Sequence, residues 1–423
     1  MTEDSANSPI ELTLLDPEIQ RCPYPAYETL RNEAPVYRDP VKGFYVVTRY
    51  EDVRRVVLET ETFSSSLKAG KNLHPERNAR IRALYEAKGW VPGPTLSGRA
   101  EPAHRELRAV MDEPFRPARI RSLDPYLKET VDTLFAALLP AGECDWVRQF
   151  AIPLPLTVIC HEMGANPDDI WRIKGWVDAW ITRIGAMQTE DEELWSVEME
   201  IEAQHYFQPI FDRLRREPDG TFLSHIVNSI IPEWGRGLNE NELHAEMMAD
   251  TFAAGAETTA SAIASGMRLL IENPEIWKRL KSDPEKHVRP FVEEIVRLES
   301  PTQGLMRVTA KDVTLHGVTI PAGSLVNARF AAANRDERQF ECPEEVDLER
   351  RNAATHMAFG AGTHHCMGAP LARRELFITF MEVAERLDEI WFLPGKNDFA
   401  VHPSLLLRGL KALHIGFTPS VGH

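Results

Sequence analysis

Cys366 stands in the run Phe359-Gly360-Ala361-Gly362-Thr363-His364-His365-Cys366-Met367-Gly368, just ahead of a helix predicted to start near Ala369. Glycines allow backbone conformations closed to other residues, so main-chain N–H groups can be aimed at one sulfur. The positive end of the following helix favours a thiolate over a thiol. Such a thiolate is a metal ligand or a nucleophile. The ordinary alternative is an inert, buried cysteine, because free Cys is among the most buried side chains. His364 and His365 raise the question of zinc, but neighbours in one turn rarely supply three tetrahedral ligands, and no partner pair lies nearby.

A second constellation is Ala254-Gly255-Ala256-Glu257-Thr258-Thr259, in the middle of a long helical pattern. Small residues there commonly serve close packing. An adjacent acid and alcohol in an otherwise apolar helix are costly to bury without a use. The Thr258 hydroxyl can bond back to the Ala254 carbonyl and bend or open the helix. An acid–alcohol pair held this way suits proton transfer. Glu294 and Arg297, at i, i+3, would alone be a solvated pair of about 0.2–0.5 kcal/mol. His104 and Arg108, at i, i+4, share one helix face.

These segments together resemble the cytochromes P450. The cysteine run is similar to the family's haem-binding loop, F-G-x-G-x-H-x-C-x-G, at every fixed position, and the long-helix stretch to its oxygen groove, A-G-x-[DE]-T-T. Glu294 and Arg297 resemble its E-x-x-R pair. The resemblance runs from Pro23-Tyr24-Pro25 and Val46-Val47-Thr48-Arg49-Tyr50 to Arg408-Gly409-Leu410. It departs at Glu101-Pro102-Ala103, where Asp-Pro-Pro is common. The resemblance implies that Cys366 ligates the iron of a haem b, within a loop built on Phe359, Gly360 and Gly368, with Ala254 against the cofactor. His104, Arg108, Arg307 and His364 would bind the propionates. Thr258 would hydrogen-bond dioxygen and Glu257 relay protons. Glu294 and Arg297 would form a structural clamp with a further arginine, assigned to Arg350 although Arg351 is adjacent.

The implied activity is that of a soluble, class I monooxygenase. It would insert one oxygen atom from O2 into a small to medium apolar substrate, of terpenoid, steroid-like or aromatic type. Electrons would come from NAD(P)H through a reductase and a 2Fe-2S ferredoxin. Arg105, Arg116, Arg119, Arg373 and Arg374 would offer that acidic donor a basic patch, or else form a solvated helix face. By position, the substrate pocket takes Thr251, Ala253 and Ala254, then Thr302, Leu305 and Met306, then Leu405. The 66–100 stretch and the Trp176–Met187 region would form a lid, where Arg77, Arg80 and Arg82 either meet a carboxylate or are simply solvated. A peroxide-driven peroxygenase and a non-catalytic haem sensor are the rival readings. The first would have no need of Glu257 and Thr258.

The elements that must position these residues are mostly helices. Asn239 to Glu272 is the longest helical pattern, opened by an Asn239–Glu242 capping box and stopped by Asn273-Pro274. Helices are also predicted over Pro25–Asn32 and Tyr50–Glu59, and the pattern is mainly helical over His104–Leu138 and Pro167–Arg216. Short strands are predicted at Gly43–Arg49, Val313–Ile320 and Ser324–Phe330, with more sheet around Leu405–Phe417. Residues 66–100 are polar and broken by Pro75, Pro92 and Pro94, so they are expected to be loop-rich. The expected class is mainly α with a minor β-sheet region: an N-terminal tail over 1–20, then one domain over 21–420.

Composition sets the outer limits. With 43% apolar and 26% charged residues in 423, the chain is an ordinary globular protein large enough to bury a cofactor. A net charge of −16 argues against a general nucleic-acid binder. The five scattered cysteines give no disulfide framework. No apolar run approaches the ~18 residues of a membrane span. Met1–Leu15 carries Glu3, Asp4 and Glu11 without a basic residue, unlike a signal peptide. A cytoplasmic, monomeric protein is expected.

Overall fold

Prolines and capping side chains open most of the helices, and apolar stripes decide which faces they bury. The computed structural model describes residues 10–66, 75–185 and 187–420. Its principal helices begin with α1 (Tyr24–Glu33), α2 (Tyr50–Leu58), α3 (Pro75–Lys88) and α4 (Ala103–Met111). Next come α5 (Asp124–Leu138), α6 (Pro153–Glu162), α7 (Ile170–Ile184) and α8 (Glu190–Arg216). Helix α9 crosses the molecule in three parts, Glu240–Glu246, Met247–Glu257 and Thr258–Glu272, and is followed by α10 (Pro284–Glu299) and α11 (Ala369–Arg386).

The capping box at Asn239 forms in both directions, with 3.0 Å bonds between each backbone N–H and the other residue's side chain. The middle part of α9 departs from the expected α-helix: Met247–Glu257 is π-helical. Its wider turns place each carbonyl against a donor five residues on, and hydroxyls help hold it open. Thr251 Oγ donates to the Glu246 carbonyl, five residues back, at 3.1 Å. Thr258 Oγ donates to the Ala254 carbonyl at 2.6 Å, the back-bond expected from the sequence.

The strands are short. A mixed sheet runs in the order β1 (Val36–Arg38), β2 (Tyr45–Val47), β8 (Leu325–Ala328), β5 (Leu305–Thr309) and β3 (Phe63–Ser64), with β2 and β8 parallel and the other pairs antiparallel. A second, antiparallel sheet joins β4 (Glu143–Asp145), β10 (His414–Pro419) and β9 (Leu387–Phe392). Strands β6 (Val313–Leu315) and β7 (Val318–Ile320) form a hairpin. The fold is mainly helical with minor sheet, as expected.

One core cluster joins α5, α10, α11 and the second half of α9. Another joins α6, α7, α8 and the π-helical part of α9, and a third lies between the mixed sheet and α2. Two expectations change at the N-terminal side. In the 66–100 stretch, Pro75–Lys88 is a helix (α3) rather than loop, while residues 67–74 lie outside those described. Arg77, Arg80 and Arg82 pair with Glu193, Glu190 and Glu86, so the first two pin α3 to α8 instead of awaiting a substrate. Within the expected tail, Leu14 is buried and Tyr37 Oη accepts from Leu12 N–H at 3.0 Å, which docks this segment on the body.

Candidate active site

The loop before α11 is closed by backbone bonds from Cys366 N to the Phe359 carbonyl at 2.8 Å and from Gly360 N to the Met357 carbonyl at 2.8 Å. Gly360 and Gly362 adopt φ of 66° and 67°, conformations that disfavour a side chain. A Cβ on Gly362 would also press on Leu58. Gly368 needs no such freedom, since its φ is −76° at the start of α11. Backbone N–H groups of Gly368 and Ala369 bond the Cys366 sulfur and, with Arg108 and Arg373, favour its thiolate. Burial outweighs them and leaves the thiol above its ordinary pKa.

The sulfur faces a cavity of about 360 Å³. Ala254, Thr258 and Thr259 of α9 line it, together with Thr302, Leu305 and Arg307 around β5. Residues from all three clusters close the walls, including Val57, Ile159 and Val296. His104, Arg108, Arg307 and His364 converge on it from three separate elements. The His104 and His364 rings lie 3.9 Å apart, and His104 Nε2 and Arg307 Nε are buried without a hydrogen-bond partner among the described residues. Burial, then His104, Arg307 and Arg108, push His364 down to about 3. Burial alone lowers Arg307 to about 10. Buried nitrogen donors left unpaired, beside the charges of Arg307 and Arg108, call for an acceptor, and a haem's two propionates meet that need. The cysteine, the apolar walls and this donor set therefore fit haem.

Beneath the loop, the E-x-x-R pair is no surface bridge. Arg297 donates to Glu294 through Nε at 2.7 Å and Nη2 at 2.8 Å, and both side chains are 0% exposed. Arg350, not Arg351, completes the clamp, its Nε 3.1 Å from Glu294 Oε1. Arg297 also donates to the carbonyls of Asn334, Pro343 and Glu345. The neighbouring Glu293, which sequence reasoning passed over, holds His356 at 3.1 Å and Arg373 at 2.7 Å. Burial would raise its pKa, but these two partners bring it down to about 2.

Several expected site residues are placed elsewhere. Met306 points to the far face of β5 from Leu305 and Arg307, because strand side chains alternate, and it packs with the N-terminal cluster. Leu405 is buried in that same cluster, and Leu406 and Leu407 line the cavity in its place. Glu257 is turned from the cavity toward Lys174, whose Nζ is 3.4 Å from Oε2. Of the five arginines expected as a patch, Arg119 pairs with Glu162, Arg373 with Glu293 and Arg374 with Asp124. Arg105 and Arg116 remain exposed. In the lid regions, Leu96, Ser97, Trp180 and Ile184 reach the cavity, whereas Trp176 is buried between α7 and α8. Glu375, held near 8 by burial, also opens onto it and was missed. A lone acid on an amphipathic helix carries no signal in the sequence.

A mainly helical fold with a cysteine loop, a split central helix and a cation-rimmed apolar cavity defines a haem-thiolate class of protein. The family model "Cytochrome P450" matches residues 199–388. The chain is 32% identical over 401 residues to the vitamin D(3) 25-hydroxylase of Pseudonocardia autotrophica, covering 94% of each chain. It is 28% identical to the steroid C26-monooxygenase of Mycobacterium tuberculosis over 93% of this chain and 94% of that one. Among solved structures, the cytochrome P450 PksS of the Bacillus subtilis bacillaene polyketide synthase superposes with a TM-score of 0.85 at 26% identity, covering 96% of this chain and all of that one. The chain belongs to the cytochrome P450 family. It is an oxygen-incorporating oxidoreductase, and its cofactor is haem b.

Proposed function

We propose that this protein hydroxylates a lipophilic substrate of small to medium size, with Cys366 as the thiolate ligand of its haem. The observation that carries this reading is one cavity in which Cys366 and Thr258 meet the nitrogen donors of His104, Arg108, Arg307 and His364. Haem b, when bound, supplies the activation of dioxygen and its insertion into a C–H bond. The chain does the rest. Gly368 and Ala369 N–H groups hold charge on Cys366 Sγ. His104, Arg108, Arg307 and His364 neutralise the propionates and fix the cofactor's orientation.

Thr258 keeps its proton on the Ala254 carbonyl, which leaves its lone pairs open to accept a proton donor in the cavity. Glu257, tethered to Lys174 on the far side, is the link between that hydroxyl and the outer face of α9. Glu375 holds a proton at neutral pH at the same cavity. The apolar walls exclude water and select a lipophilic body, in keeping with relatives named for vitamin D(3) and steroid oxidation. Electrons are proposed to come from NAD(P)H through a reductase and a ferredoxin, with exposed Arg105 and Arg116 supporting an acidic donor.

Cys366→His should abolish the thiolate-type carbon monoxide difference spectrum of the haem-loaded protein. A spectrum that survives the substitution overturns the reading. Turnover with peroxide alone that matches the ferredoxin-driven rate would instead favour a peroxygenase.

A further inference from the structure

One wall of this cavity is not apolar. Asp250 lies on it, in the π-helical part of α9, eight residues before Thr258. Ser97 holds the carboxylate with its N–H at 2.7 Å and its hydroxyl at 2.8 Å. Behind Asp250, one helical turn back, sits Glu246, 2% exposed. Burial first, then the charge of Asp250, holds the Glu246 carboxyl well above the ordinary carboxylate range, so Glu246 adds no second charge beside Asp250. Arg99, whose charge acts on Glu246, is committed to Glu242 at 2.9 Å, and no ion pair to Asp250 forms among the described residues. A partly buried carboxylate on the wall of a largely apolar cavity, oriented by Ser97 and without an ion pair among the described residues, is suited to a cationic partner.

We infer that Asp250 binds a cationic nitrogen of the substrate, so that this enzyme selects lipophilic amines. The inference rests on the proposed reading of the cavity as the substrate site. Asp250, Ala254 and Thr258 form one stripe along α9, at i, i+4 and i+8, and all three line the cavity. At the helical rise, Asp250 and Thr258 are on the order of 10 Å apart. An ammonium anchored at Asp250 thus presents a carbon several bonds away to the oxidising end, and the anchor sets which carbon is attacked. Leu96, Ile159, Trp180, Ile184 and Ala253 line the same cavity with apolar surface, so the substrate is an amphiphile with one charged end.

The test uses the haem-loaded protein and two probes of matched shape, octyltrimethylammonium and uncharged octyl tert-butyl ether, with binding measured by calorimetry. A quaternary nitrogen cannot ligate iron, so the difference between the two probes reports the charge interaction. The wild-type protein should bind the cation about tenfold more tightly than the ether. Asp250→Asn should erase that preference with the ether's affinity unchanged, and Asp250→Glu should retain it. Equal affinities in the wild-type protein overturn the inference, as does a preference that persists in Asp250→Asn. If the Asp250→Asn protein is too unstable to assay, the two probes on the wild-type protein decide the matter by themselves. The carbon monoxide spectrum of the same sample separates the two claims: its failure sinks the haem-thiolate reading, whereas a normal spectrum with no cation preference sinks only the amine.

Discussion

Thr258 shows how one hydroxyl can serve both structure and chemistry. Its bond to the Ala254 carbonyl satisfies a backbone group at the end of the π-helical stretch, and its free lone pairs face the cavity. A methyl at that position would keep the packing and lose the proton handling. Thr258→Ala is therefore expected to keep haem loading and NADH oxidation while product formed per NADH falls, by about tenfold or more. Product yield against NADH consumed, with a ferredoxin system, measures this. Retention of the wild-type yield would remove Thr258 from the proposed proton path. Glu257 needs a different account from the one its sequence position suggests. Held by Lys174, it reaches the reaction only through the helix it sits on, so it has a positioning or relay part and touches nothing in the cavity.

At the scale of elements, α10 is the bracket beneath the cysteine loop. Its two adjacent acids face different ways: Glu293 takes His356 and Arg373, and Glu294 takes Arg297 and Arg350. The first ties the start of α11 to α10. The second ties together the chain from Asn334 to Arg350, because Arg297 and Arg350 between them hold the backbone carbonyls of Asn334, Glu341, Cys342, Pro343 and Glu345, the last of these from both sides. Glu294→Gln leaves two buried guanidinium groups without their anion. It is expected to cost about 3–5 kcal/mol, as breaking other buried pairs does. A urea midpoint shift with an unchanged slope would show it, and a shift worth under about 1 kcal/mol would mean that the clamp is not what holds the loop.

At the scale of the whole molecule, the cavity exists because three separately packed clusters meet around α9, and the lid side is joined to the body by polar contacts. His244 of α9 is one such contact. It donates from Nε2 to Gln208 Oε1 at 2.9 Å and lies against the rings of Trp90 and Phe211. Burial first, then His205 and Arg215, push it from an ordinary 6.5 to about 3. With the folded pKa depressed, the unfolded chain binds the extra proton. The contribution is complete above 6.5 and is lost as pH falls toward 3, by about 1.4 kcal/mol per pH unit. His244→Gln keeps a donor to Gln208 and removes the titration. Between pH 6.5 and 5 its stability should fall by about 2 kcal/mol less than that of the wild-type protein, read from urea melts at the two values. Parallel pH curves would exclude His244 as the cause of acid sensitivity.

Much of the site was legible in the sequence because its signals are local. A glycine turn around a cysteine, an acid–alcohol step in a long helix and the i, i+3 acid–arginine pair are read within ten residues; the turn and the pair formed, whereas Glu257 of the step turned to Lys174. Helix ends were legible too, since Asn239 caps and Pro274 stops by short-range rules. By itself the sequence thus determined the fold class and the glycine-turned cysteine loop. Only the tertiary structure decided which residues share the cavity. Met306 and Leu405 left it because a strand's alternation and a loop's register turn on neighbours far away in the chain. Asp250 and Glu375 entered it because burial by distant elements, not their own context, makes a carboxylate unusual. Chemistry that depends on desolvation is invisible until the chain has folded around it.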